Sequence, residues 1–393
     1  MNRSRYMPVG EVCSSISDTY HEKGEMVTLI NTSDVLEGRV LNHERVPNQN
    51  LKGQFKKAFQ QGDILYSEIR PQNRRFAYVD FPPIDYIAST KLMVIRAKTD
   101  MVLSKYLYYF LKNSSTVAEL QLLAETRSGT FPQITFTEVA NLSIPVPPLA
   151  VQEIIVQTMQ CLEDKIICNE QINDNLEQQA QAFFQELFVD NADLEWAIGT
   201  ISDLGAVVGG STPSKAKPEY YTETGIAWIT PKDLSVNKLK FISHGENDIT
   251  ELGLKNSSAT IMPEGTVLFS SRAPIGYIAV AAGEVTTNQG FKSIVPKPEI
   301  GTAFVYYFLK HNLPTIEGMA SGSTFKEVSG STMKGVPAVI PDTDTIARFN
   351  DFCSPIFAQQ RILEEQNQSL AALRDNLLPK LMSGEIDVSD IQL

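Results

Sequence analysis

Between residues 149 and 188, apolar side chains return at alternating steps of four and three: Ile155, Met159, Leu162, Ile166, then Leu176, Ala180, Phe183 and Leu187. Asn169 and Asn173 fill the same stripe. This is the seam of a coiled-coil helix, roughly 60 Å long at ~1.5 Å per residue. Adding 194 to each number yields a second seam: Phe349, Cys353, Ile356, Gln360, Leu363, Asn367, Leu370, Arg374, Leu377 and Leu381. Asn173 and Asn367 take matching places, and a polar seam residue gives up stability to set register and orientation. Two such helices in one chain are expected to pack on each other. Pro355 lacks a backbone donor and crowds the preceding turn, so the second helix is expected to kink there or to start late, running cleanly from about residue 355 to 382.

Ahead of each helix the period changes. ILYSEI and KLMVIRA in one half, and TVLFSSR, YIAVAA and KSIVP in the other, alternate between Gly and Pro boundaries. They predict half-buried antiparallel strands. YLYYFLK (106–112) and FVYYFLK (304–310) then predict a pair of packing helices whose rings are mostly core. GDILYSEIRP (62–71) reads against GTVLFSSRAP (265–274). SGTFPQITFTEVANLSIPVP (128–147) reads against 322–341, pairing Thr130 with Thr324, Phe131 with Phe325 and Pro147 with Pro341 at a constant offset of 194. A period of half the chain means that a whole domain is duplicated. The expected architecture is α+β, with α/β domains at 1–147 and 196–341, long helices at 148–190 and 342–383, and a tail at 384–393.

A chain of 393 residues fits two such domains. No apolar run approaches the ~20 residues of a membrane span, and MNRSRYMPVGEV lacks the apolar core of a secretory signal, so the expected compartment is the cytoplasm. Cys13, Cys161, Cys168 and Cys353 form no CxxC pair and the four histidines lie apart, which speaks against a zinc site. Cys161 and Cys168, seven apart, are expected to be two buried thiols on one helix face. The net charge of −12, taken as an average, argues against a nucleic-acid partner, but its distribution changes that picture. Residues 148–195 hold 1 Lys+Arg against 10 Asp+Glu, and 342–393 hold 4 against 9. The two domains are balanced, with 17 against 15 in 1–147 and 12 against 12 in 196–341.

Motifs for catalysis are missing. GAVVGGST (205–212) has the glycines of a phosphate loop but Ser211 where that loop needs lysine. FPPID (81–85) has the two prolines of an adenine-methylating loop without its polar and aromatic neighbours. Groups suited to DNA are plentiful, since phosphates and base edges are met by Lys, Arg, amides and small hydroxyls. The first domain offers Lys52, Lys56, Lys57, Arg70, Arg74, Arg75, Lys91, Arg127 and Thr130. The second offers Lys215, Lys217, Lys232, Lys238, Lys240, Lys255, Arg272, Lys292, Thr324 and Lys326. The densest stretch is RPQNRR (70–75).

Four stretches together resemble the specificity subunit of Type I restriction–modification systems: GGSTPSKAKPEYYTETGIAWITPKDL (209–234), the paired GDIL and GTVL strands, SGTFPQI running into NLSIPVPPLAVQEIIV (128–156), and LRDNLLPKLMSGEIDV (373–388). The resemblance spans nearly the whole chain, although the first domain lacks the GGSTPSK opening. It implies two target recognition domains, each reading one half of a bipartite asymmetric DNA site, related by a pseudo-two-fold repeat. The two long helices would pack antiparallel and set the spacer between half-sites. Partners would be two modification subunits, which bind S-adenosylmethionine and methylate adenine at N6, and restriction/translocase subunits using ATP and Mg. Catalysis and cofactors would then lie outside this chain, with no membrane involved. A fused restriction–modification enzyme and a protein-only scaffold are the alternatives.

Overall fold

The computed structural model describes residues 5–21, 24–127, 130–322 and 326–388. The chain divides into two units, Met1–Ile166 with Ser369–Leu393, and Ile167–Gln368. Both boundaries fall inside long helices, so each unit holds one α/β domain and a part of each helix.

In the first unit the strand Leu92–Ala97 lies between Cys13–Ile16 and Ile64–Ser67, antiparallel to both, with Phe76–Tyr78 beyond. A second sheet orders Val46–Pro47, Met26–Ile30, Tyr86–Ser89 and Phe55–Lys57. Here Tyr86–Ser89 runs parallel to Met26–Ile30, a pair outside the segments expected to be antiparallel, whereas Leu92–Ala97 and Ile64–Ser67 pair antiparallel as expected. The central strands are not half-buried, however, for every residue of Ile64–Ser67 is buried. Their alternation separates two cores. Ile64, Tyr66, Met93 and Ile95 pack with Tyr106, Leu107 and Tyr109, whereas Leu65, Leu92 and Val94 pack with Ile30, Val35 and Ala88. A strand covered on both faces reads as a nearly continuous apolar run.

The second unit repeats the plan. Its main sheet orders Gly205–Gly209, Lys292–Pro296, Val267–Ser271, Ile275–Ala281 and Phe241–Ile242, the last parallel to its neighbour. Val267 and Phe269 join one core, Leu268 the other. Arg5–Pro8 pairs with Ser143–Val146, and Ala197–Thr200 pairs in the same antiparallel way with Pro337–Ile340, the counterparts lying 192 and 194 residues on. GAVVG, which superficially suggested a phosphate loop, is an extended strand.

The first long helix spans Leu149–Gln185 and closes with a π-turn at Glu186–Asp190. The second spans Thr343–Ser383 without interruption, so the late start at Pro355 is overturned. Pro355 sits on the exposed side, and buried Cys353 and Ile356 hold the helix through it. Every predicted seam position is buried or half-buried. In the second unit Asn169 Nδ2 donates to Asn367 Oδ1 at 2.8 Å, Gln360 Nε2 to the Asn173 carbonyl at 3.3 Å, and Phe183 meets Phe349 and Phe352. Numbers rise on one helix as they fall on the other, so the helices run antiparallel there. Asn173 and Asn367 are equivalent in the repeat, but antiparallel packing makes Asn169 the residue that Asn367 touches. Cys161 and Cys168 share a face, as expected, yet it is the exposed one, because the seam runs elsewhere. The buried thiols are Cys13 and Cys353.

Candidate nucleic-acid interface

In each domain the strand that follows the paired glycine, Ile64–Ser67 or Val267–Ser271, runs out into a turn that opens on a left-handed non-glycine residue, Arg70 at φ 45° and Ala273 at φ 50°. Pro71 and Pro274 follow. The next contact is also duplicated. Ile134 N donates to Glu68 O at 2.9 Å, and Val328 N to Ser271 O at 3.0 Å. The hydroxyl-rich loop of each copy is thereby tied to the strand end that carries its basic groups.

In the first domain Arg70 is exposed at the turn, its backbone N–H donating to Pro132 O at 3.1 Å. Thr130 is exposed on the incoming loop, and Arg127 meets Glu138 at 2.7 Å. Lys91 Nζ lies 3.4 Å from both Glu68 Oε2 and Gln133 Oε1. These residues come together. Lys56 is exposed on the other sheet, and Lys52 is exposed on the turn that leads into its strand. Three basic groups point inward instead. Arg74 donates to Ser114 Oγ at 2.8 Å and Arg75 to Ser33 O at 3.0 Å. Lys57 donates to Thr90 O at 3.2 Å and Leu92 O at 2.7 Å, and burial lowers the pKa of its ammonium.

In the second domain Arg272 Nη1 and Lys292 Nζ bracket Glu327 at 3.4 and 3.5 Å, with Lys326 exposed beside it. Thr324 lies outside the described residues. The GGSTPSK loop returns along the sheet edge: Ser211 N donates to Thr287 O at 2.8 Å, and Trp228 Nε1 to Ser211 O at 3.0 Å. A Cβ on Gly210 would lie 1.9 Å from Asn288 O, so only glycine fits. This path leaves Lys215 and Lys217 exposed and places the Thr212 hydroxyl on the Gln289 side chain. Lys232 is exposed and paired with Glu246, while Lys238 and Lys255 are exposed too. Lys240 is different, since its side chain is only 6% exposed. Among the described residues, no group of His, Cys, Asp and Glu could hold a metal ion.

The Type I restriction modification DNA specificity domain matches this chain twice, over residues 6–178 and 193–373. The chain belongs to that family. The specificity subunit of Type I restriction enzyme HindI from Haemophilus influenzae is 31% identical, across 92% of this chain and 94% of its own length. The MjaIX specificity subunit of Methanocaldococcus jannaschii is 39% identical over 46% of this chain and 44% of its own. The solved S subunit of a Type I restriction–modification system from M. genitalium shares the fold, with a TM-score of 0.59 at 16% identity and 97% coverage of both chains. The family consists of DNA-specificity subunits without catalytic activity of their own.

In this specificity subunit the motif helices do more than fill the core. Tyr109 OH donates to Glu163 Oε2 at 2.8 Å, and Lys112 of the same helix pairs with Glu163. Tyr307 OH donates to Glu177 Oε2 at 2.9 Å, and Lys310 Nζ to Glu177 Oε1 at 2.6 Å. The tyrosine and lysine three positions apart thus clamp a glutamate of the long helix in both copies. Glu177 also pairs with buried Lys240, whose ammonium lies over the Phe357 ring at 4.3 Å. Burial alone would raise the pKa of the Glu177 carboxyl, but Lys240 and Lys310 overcome it and hold it at about 2. The repeated YYFLK motif contained this clamp, but its glutamate partners carry no signal of their own among ten acidic residues of that segment.

Proposed function

We propose that this subunit reads a bipartite, asymmetric duplex DNA site, one half with each domain. The long helices hold the half-sites at a set spacing and dock the modification and restriction subunits. The supporting observation is the duplicated strand end, where a basic, hydroxyl-bearing loop meets a basic turn in both copies. The first half-site would be met by Arg70, Lys91, Arg127 and Thr130, with Lys52 and Lys56 on phosphate. The second would be met by Arg272, Lys292, Lys326, Thr324, Lys215, Lys217 and Lys232. Lys57, Arg74 and Arg75 would act indirectly, by holding their surfaces in shape. Lys240 belongs to the helix clamp.

Cofactor chemistry falls to the partners in this reading: S-adenosylmethionine with the methyltransferase subunits, ATP and Mg with the translocase. The acidity concentrated on the long helices keeps them off phosphate and free for protein partners. The complex would work in the cytoplasm, where its DNA lies. Mapping N6-methyladenine across the genome with and without the gene tests this. The expected result is a bipartite motif that disappears on deletion. Unaltered methylation would overturn the reading in favour of a protein-only scaffold.

A further inference from the structure

Gln133 and Glu327 occupy the same position in the two domains, 194 residues apart, each just before the residue whose N–H ties the loop to the strand end. Each turns an acceptor oxygen toward the basic groups there. Gln133 Oε1 is 3.4 Å from Lys91 Nζ, and the two Glu327 oxygens lie 3.4 Å from Arg272 and 3.5 Å from Lys292. The basic partners are not equivalent, for Arg272 aligns with Ile69 of the first copy. Different residues have therefore converged on one acceptor.

Pairs this long and half-exposed contribute little to folding. A carboxylate amid groups meant for DNA also repels phosphate. Its presence makes sense if a base supplies the donor. In the major groove cytosine N4 is a pure donor and pairs with Glu, whereas adenine offers N6 as donor and N7 as acceptor, the match for a Gln amide. We infer that Gln133 and Glu327 are specificity-determining residues, Gln133 reading an adenine in one half-site and Glu327 a cytosine in the other. The neighbouring Lys91, Arg272 and Lys292 orient them and are released toward DNA on binding. This inference rests on the DNA-reading role proposed above.

The test is methylation mapping in cells carrying the full-length chain with its own partner subunits, comparing wild type with Gln133→Glu and Glu327→Gln. Gln133→Glu should alter one position of one half-site from adenine toward cytosine. Glu327→Gln should do the reverse in the other half. Methylation at the original sequence should fall roughly 5- to 150-fold in each case. The untouched half-site serves as the folding control. An unchanged motif in both variants overturns this inference and leaves the proposed function standing. Absence of any gene-dependent bipartite motif in wild type defeats the proposed function itself. If these swaps and Gln133→Ala and Glu327→Ala all abolish methylation entirely, the inference also fails, because the residues would then support assembly and not a base position.

Discussion

The two domains agree on their inner side and differ on their outer side. Inward, a Tyr-x-x-Lys helix clamps a glutamate of the long helix in both, by Tyr109 and Lys112 on Glu163 and by Tyr307 and Lys310 on Glu177. Outward, the same backbone turn carries Arg70 in one and Ala273 in the other, and the same loop position carries Gln133 or Glu327. Attachment is shared, and the side chains of the proposed reading surface are not. Duplication of a domain supplies two equivalent mounts whose outer surfaces are free to diverge.

The clamps themselves are unequal, which gives the largest expected effect. Glu177 meets two ammonium groups, one from buried Lys240, whereas Glu163 meets one. Glu177→Gln removes the carboxylate that pairs with buried Lys240 and should cost about 3–5 kcal/mol. Glu163→Gln should cost about 1–3 kcal/mol. Urea denaturation of the full chain decides this, and equal losses would break the comparison. Acid gives the next largest effect. Glu177 is held at about 2, below the ordinary 4.5, so its contribution is complete above pH 4.5 and is lost as pH falls toward 2. About 2–3 kcal/mol should disappear in that window in wild type. A Glu177→Gln chain that loses the same amount over the same range would show that other carboxylates carry the effect.

Much of this organisation was legible from periodicity, because a seam of 4-3 steps and a 194-residue offset reflect geometry that any folded copy must obey. All twenty seam positions lie where that period puts them, at least half shielded from solvent. What the period cannot carry is direction in space. It did not tell the exposed face of Cys161 and Cys168 from a buried one, nor that Asn367 meets Asn169 and not its equivalent Asn173. Lysines posed the same difficulty. Lys240 and Lys57 look like their surface neighbours in sequence, and only tertiary packing turns them into internal partners.

The seam asparagines offer a smaller effect of opposite sign. Asn169 spends one polar group on Asn367 but leaves Oδ1 buried without a partner. Replacing both Asn169 and Asn367 by leucine should raise stability by about 1–2 kcal/mol, measured as a higher urea midpoint, while removing the device that specifies register. A destabilised double variant would mean that the asparagines carry net binding energy as well as register.

The smallest effects separate two adjacent lysines. Lys56 and Lys57 follow one another on Phe55–Lys57, so they point to opposite sides of the strand. Lys57 donates to the carbonyls of Thr90 and Leu92, and Lys57→Ala should cost about 1 kcal/mol of stability. Lys56 is exposed, and Lys56→Ala should change stability by less than about 0.5 kcal/mol. On DNA the order reverses. If Lys56 neutralises a phosphate, its loss lowers the salt slope of binding by about 1 without changing which sequence is preferred, and Lys57→Ala leaves that slope alone. Titrations of the assembled complex on its duplex site at several salt concentrations read this directly. A slope that moves with Lys57 and not with Lys56 would place the DNA on the other side of this sheet, and would transfer the outer face of the first domain from one lysine to its neighbour.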